Sequence, residues 1–160
     1  MGVAGAGKTT IGTLLARRLG WAFHDADDFH RLSNIAKMSS GIPLDDDDRW
    51  PWLSRLRREV IDPALSGNPV VLACSALKAS YRRVLGIGEP GITGVFLECD
   101  PATLADRLQA RTHYMKPEML ASQWEALEIP SPDEAFHIPA ALPPDEIVAM
   151  IAAERFFLEV

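Results

Sequence analysis

Residues 2–9 read Gly-Val-Ala-Gly-Ala-Gly-Lys-Thr: a glycine, four residues, then Gly-Lys-Thr. This spacing suits a loop that wraps polyphosphate. Gly5 and Gly7 let backbone N–H groups turn inward around phosphate oxygens without a clashing Cβ. A helix starting near Thr9 adds the partial positive charge of its N-terminus. Lys8 has the reach for the β- and γ-phosphates, and the Thr9 hydroxyl is a ligand for Mg²⁺. Gly2, Val3, Ala4, Gly5, Ala6, Gly7, Lys8, Thr9 and Thr10 therefore form the candidate nucleotide-binding stretch. The pattern marks a phosphate site without fixing the reaction.

A second group of reactive side chains follows at Asp25, Asp27 and Asp28. It lies just past a short strand candidate, Trp21 to His24. Ligands of open α/β sheets bind beyond the carboxyl ends of the strands, which brings these acids beside the glycine loop. One carboxylate can orient an acceptor hydroxyl and take its proton, and a second can hold Mg²⁺ through water. A solvated acidic turn is the competing reading. Further on, Arg107 and Arg111 are four apart and share one face of an expected helix. That face is suited to clamping a phosphate in transfer, or else it is a basic surface paired with nearby acids.

These groups need a scaffold, and the apolar pattern supplies one. Ile11, Leu14, Leu15 and Leu19 follow helical spacing, so residues 9–19 read as a helix closed by Gly20. A helix around 30–38 comes next. Asp48 is the expected cap of the helix carrying Trp52, Leu53, Leu56, Val60 and Ile61, and the acids of 45–48 otherwise read as a solvated loop. Val70 to Cys74 is a continuous apolar run, as in a strand buried on both faces, and Val95 to Cys99 reads as another buried strand. A short helix spans 78–85. Asp100-Pro101 opens a helix to about 110, a polar stretch covers 111–118, and another helix runs to about 127. Phe136 to Ile138 is the last strand candidate, before a helix over 144–156. Alternating strands and helices point to an α/β fold with a parallel sheet.

The 160 residues suit one domain, and 48% are hydrophobic, enough for a core. A net charge of −6 argues against a nucleic-acid partner. No run reaches the ~20 apolar residues of a membrane span, and no signal peptide is evident. Cys74 and Cys99 read as buried thiols, and the four histidines lack metal-ligand spacing. A cytoplasmic location is expected. A phosphate loop is ordinarily carried by a buried strand, yet only Met1 precedes Gly2. The expectation is a native chain that begins several apolar residues earlier, and a gap at the sheet centre without them.

Beyond the loop, many segments closely resemble the gluconokinase family. They include Asp25-Ala-Asp-Asp-Phe-His30, Asn34-Ile-Ala-Lys37-Met38, Gly41-Ile-Pro-Leu44 and Asp48-Arg49-Trp-Pro51-Trp52-Leu53. Leu72-Ala-Cys-Ser75-Ala-Leu-Lys78 with Tyr81-Arg82, Arg107-Leu with Arg111 and His113-Tyr-Met115, and Ser122-Gln123-Trp-Glu-Ala-Leu-Glu128 extend the match to about residue 130. The resemblance implies a P-loop NTPase fold of the adenylate-kinase type, one domain with a parallel sheet, flanking helices and a mobile lid at about 111–118. It implies ATP and Mg²⁺ as cofactors, transfer of the γ-phosphoryl group to the 6-hydroxyl of D-gluconate, and a homodimer.

On that resemblance Asp25 is the outer-shell Mg²⁺ partner and Asp27 orients the acceptor hydroxyl, a pairing similar to the Asp-x-Asp of shikimate kinases. Asp28 can exchange roles with Asp27. A guanidinium binds a carboxylate bidentately, so Arg49 is the first candidate for the acid end of gluconate and Arg82 the second. Lys37, Ser75 and His30 are candidates for the polyol hydroxyls. Two departures stand out: Ala4 and Ala6 replace frequent serines, and the lid is one residue short. The competing readings are a kinase for another small acceptor such as shikimate, against which the 34–53 segment speaks, and a nucleotide-binding module without catalysis.

Overall fold

The computed structural model describes residues 1–100, 104 and 117–157. Helix α1 (Lys8–Leu19) begins straight from the glycine loop and ends at Gly20, whose left-handed backbone donates to the Ala16 and Arg17 carbonyls. It is followed by β1 (Ala22–Asp25), a 3-10 turn (Ala26–Phe29) and α2 (Leu32–Ser39). Helix α3 starts at Asp46–Leu56, widens to a π turn over Arg57–Ile61 and closes with Asp62–Leu65. Then come β2 (Val70–Ala73), α4 (Ala79–Leu85), β3 (Val95–Glu98), α5 (Pro117–Ala126), β4 (Phe136–Pro139) and α6 (Pro144–Phe157). No helix among the described residues is long and apolar enough to cross a membrane.

All strand pairing is parallel. β1 lies against β2, with Asp25 opposite Ala73, and β3 lies against β4, with Glu98 opposite Pro139. The two pairs are separate sheets. Met1 stitches them together at the top: its amine donates to the Val95 carbonyl at 2.6 Å, and its carbonyl accepts from the Leu97 amide at 2.9 Å. The Gly2 amide then donates to the Ser75 carbonyl at 3.1 Å, on the β2 side. Below Met1 an apolar cleft of about 840 Å³ runs between the sheets, walled by residues such as Ile11, Leu15, Val71 and Val95. The gap expected at the sheet centre is thus present.

Two clusters make the core. Ile11 and Leu15 of α1 pack with Leu97, Ile138, Ile147 and Val148. Trp52, Leu53 and Leu56 of α3 pack with Ala26, Cys74, Tyr81 and Leu85. The second cluster fixes the acidic turn and α4 on one helix.

Three expectations are corrected. The cap of α3 is Asp45, not Asp48: the Asp45 side chain accepts from the Asp48 amide at 2.9 Å and Asp48 returns the bond, a reciprocal capping box. In a run of four aspartates, spacing alone does not say which residue lies outside the helix. The 3-10 turn over 26–29 was not anticipated, and α2 starts after it at Leu32. Cys74 is buried as expected, whereas Cys99 is only half-buried, and neither is in a disulfide. The expected helix from 101 to 110 falls mostly outside the described residues, although the Leu104 amide donates to the Asp100 carbonyl at 3.1 Å, one helical turn.

Leu53 is fully buried between the acidic turn and α4. Leu53→Ala is expected to lower unfolding free energy by about 2–5 kcal/mol in a denaturant titration. A loss well under that range contradicts this packing.

Candidate active site

The glycine loop is shaped for anions by its backbone. Gly7 is the N-cap of α1 at φ 100, and it offers no side-chain cap. Gly7 therefore brings no side-chain acceptor to the start of α1, and no acid stands in the first turn to repel an anion. Gly2, at φ 136, lies so close to β3 that a Cβ would meet the Leu97 carbonyl oxygen at 3.0 Å. Lys8 arches over the loop, with Nζ donating to the Val3 carbonyl at 2.9 Å. The Ala4 amide donates to Gln123 Oε1 of α5 at 2.7 Å.

The acids meet this loop through one side chain. Asp25, the last residue of β1, accepts from the Thr9 hydroxyl on Oδ2 at 2.8 Å and from the Asp27 amide on Oδ1 at 3.1 Å. A single carboxylate thus ties the start of α1 to the acidic turn. Asp27 extends outward, its side chain 85% exposed, with His30 Nε2 4.0 Å from Oδ1. Asp27 lies above the ordinary carboxylate range, through partial desolvation and the neighbouring charge of Asp25. With so much of the side chain open to water, Asp25 is the firmer cause. Asp28 is exposed at the next position.

His30 is the turn's rear wall. It is buried and stacked on Trp52, with ring centroids 4.4 Å apart. Trp52 Nε1 donates to the Ala26 carbonyl at 2.7 Å, pinning the turn to α3. Asn34 Nδ2 lies 3.4 Å from His30 Nδ1 and donates to the Asp48 carbonyl at 2.9 Å. With that amide as donor, Nδ1 accepts and the proton sits on Nε2, toward Asp27. Burial, then the Arg49 charge, lowers His30 from 6.5 to about 4, so the ring is neutral at pH 7.

Arg49 stands between the acidic turn and α4. Its Nε donates to the Leu44 carbonyl at 3.3 Å, and its guanidinium lies over the Tyr81 ring, 5.7 Å from the centroid. Its charge is felt at both Asp27 and His30. The other candidate cations are engaged elsewhere. Lys37 Nζ donates to both oxygens of Asp48 at 2.7 Å, joining α2 to α3. Arg82 is 2% exposed. Its Nε and Nη2 bind Glu134, and its Nη1 donates to the Ala76, Leu77 and Glu128 carbonyls. That guanidinium is a buried tie across the fold, its donors taken up by these partners. Ser75 meets the loop through its carbonyl, the acceptor for Gly2. Arg107, Arg111 and lid residues 111–116 lie outside the described residues.

Thr9 and Asp25 offer oxygen donors only, and the described residues contain no cluster of three or more His, Cys, Asp or Glu able to hold a metal. One hydroxyl and one carboxylate beside a phosphate loop fit Mg²⁺, which keeps waters and takes its remaining oxygens from phosphate. Sequence reasoning missed Trp52, Asn34, Asp46, Lys78, Tyr81 and Gln123 as parts of the site. All of these except Asp46 stand in the segments that resemble gluconokinases, yet no spacing rule marks them.

Known proteins resemble this chain in sequence and in fold. The family model described as shikimate kinase matches residues 4–131. The chain is 44% identical to a probable gluconokinase of Rattus norvegicus, over 94% of this chain and 92% of that protein. It is 46% identical to a gluconokinase of Gluconobacter oxydans (strain 621H), over 84% of this chain and 76% of that one. The crystal structure of a gluconokinase from Sinorhizobium meliloti 1021 superposes with a TM-score of 0.83 at 39% identity, covering 100% of this chain and 95% of that chain.

The histidine gives a pH test. His30 is neutral in the fold but titrates near 6.5 when unfolded, so its contribution to stability is complete above pH 6.5 and is lost as pH falls toward 4. Denaturant titrations from about pH 7 to about pH 4.5 should show this slope. His30→Gln should flatten it, and an identical slope in that variant contradicts the assignment.

Proposed function

The chain belongs to the gluconokinases, within the wider shikimate kinase family, and we propose that it transfers the γ-phosphoryl group of ATP to the 6-hydroxyl of D-gluconate. The observation that supports this reading is the Asp25 bridge, in which one carboxylate accepts from both the Thr9 hydroxyl at the start of α1 and the Asp27 amide of the acidic turn.

The loop amides and Lys8 hold the β- and γ-phosphates. Thr9 and Asp25 would hold Mg²⁺, the first directly and the second through water. When bound, the ion neutralises charge on the phosphate oxygens. Asp27 orients the 6-hydroxyl and accepts its proton. As O6 bonds to the γ-phosphorus, the bond from that phosphorus to the bridging oxygen of ADP breaks, giving ADP and 6-phosphogluconate. The transition state is loose, so alignment outweighs strong base catalysis. A carboxylate whose pKa is raised by Asp25 suits this modest task. Neutral His30, bracing the turn and facing Asp27, adds no competing positive charge.

The carboxylate of gluconate is assigned to Arg49. It lies within electrostatic range of Asp27, and no ion pair occupies it among the described residues. The alternatives, Lys37 and Arg82, already have carboxylate partners. Lys37 and Ser75 remain candidates for hydroxyl contacts, and Arg107 and Arg111 for clamping phosphate.

A coupled ADP-release assay across gluconate, related sugar acids and shikimate tests the reading, with turnover expected on gluconate. Shikimate turnover without gluconate turnover overturns it. Lys8→Ala should cut kcat severely while the fold survives. Asp27→Asn should lower kcat by about 10²–10⁴ with little change in the KM for ATP. Arg49→Met should raise the gluconate KM about tenfold or more, the scale of a lost charge-assisted contact. An effect confined to ATP moves Arg49 to the nucleotide side.

A further inference from the structure

Arg49, Asp46, Lys78 and Tyr81 line an open cavity of about 490 Å³, together with Ser122 of α5. Tyr81 is its floor, 2% exposed. Its ring carries two cations: the Arg49 guanidinium at 5.7 Å from the centroid and the Lys78 ammonium at 5.4 Å. Its hydroxyl donates to Asp46 Oδ1, which also accepts from Lys78 Nζ at 2.7 Å. Trp50 packs on the ring edge-on, with centroids 5.4 Å apart at 83°.

The two cations are not equivalent. Lys78 is neutralised by Asp46, and the hydrogen bonds from Lys78 and Tyr81 hold that carboxyl below its ordinary range. Arg49 has no carboxylate at salt-bridge distance among the described residues, and its one backbone bond, through Nε, leaves the outer guanidinium edge to be set by the ring beneath it. Asp46 and Arg49 are three apart on α3, while Lys78 and Tyr81 sit at the start of α4. The tyrosine therefore fixes Arg49 of one helix with bonds that cross to the other.

We propose that Tyr81 is a positioning residue that determines specificity. Locked by Asp46 and Lys78, it presents the Arg49 guanidinium to the carboxylate of an open-chain sugar acid and favours that acid over its neutral analogues. The proposal rests on the assignment of Arg49 to the substrate carboxylate.

The test is steady-state kinetics on Tyr81→Leu, Tyr81→Phe and Asp46→Asn, each alone and combined with Arg49→Met. The probes are gluconate and gluconamide, its uncharged amide. Tyr81→Leu should raise the gluconate KM about two- to fivefold, the scale of a half-exposed cation–π contact. The KM for ATP and the affinity for gluconamide should hold. Tyr81→Phe keeps the ring and should recover most of the loss. Asp46→Asn, at a half-exposed position, loosens the lock without opening a core cavity and should raise the gluconate KM by a smaller factor; it carries the test if Tyr81→Leu does not fold. In the Arg49→Met background none of these changes should add further loss. Equal losses with and without Arg49, equal losses for gluconamide, or a gluconate KM unmoved by both Tyr81→Leu and Asp46→Asn overturn the proposal. If Arg49→Met itself leaves the gluconate KM unchanged, the carboxylate assignment fails and takes the proposal with it; if Arg49→Met raises that KM and the Tyr81 and Asp46 variants do not, the proposal alone fails.

Discussion

The site depends on one carboxylate with two occupied oxygens. Asp25 receives the Thr9 hydroxyl on one and the Asp27 amide on the other. The first bond sets the beginning of α1, where the glycine loop ends. The second sets the turn that carries Asp27, the acid proposed for the acceptor hydroxyl. Charge-assisted bonds of this type are short and directional, so the donor and acceptor halves share a reference point. The parallel register of β1 with β2 is what brings Asp25 to the edge where that bridge can form.

The rest of the molecule supports this bridge from two sides. On the acceptor side, Trp52 holds the turn by a hydrogen bond to Ala26 and by stacking on His30. On the nucleotide side, support is thinner. The loop hangs on Met1 and Gly2, which reach β3 and the end of β2 by three backbone bonds above an apolar cleft. Arg82 adds rigidity by gathering the carbonyls of Ala76 and Leu77, next to Ser75, and by pairing with Glu134 beyond α5. Ala76 itself is held at φ 46, a conformation unusual for a residue with a Cβ. The Arg82 bond to its carbonyl helps hold that shape.

Much of this was legible in the sequence because it is local. The glycine, lysine and threonine spacing announces the loop, Ile11 and Leu15 announce α1, and the apolar runs at 70–73 and 95–98 announce β2 and β3. The pairs that define the acceptor side are not local. Nothing around Arg82 signals that Glu134 will meet it 52 residues later, so its burial was invisible. Nothing around Tyr81 signals Asp46, 35 residues before it. The identity of the α3 cap was hidden for another reason: four successive aspartates compete, and Asp45 is singled out only by its reciprocal bonds with Asp48. Resemblance to a family marked these segments as meaningful while leaving their contacts open.

A crystal structure with a non-hydrolysable ATP analogue, Mg²⁺ and gluconate tests the central claim most directly. The account predicts the metal between Thr9 and the Asp25 side, the β- and γ-phosphates within the loop, and gluconate O6 within hydrogen-bonding reach of Asp27. Gluconate bound with O6 remote from Asp27, or phosphates lying outside the loop of residues 2–9, would contradict it.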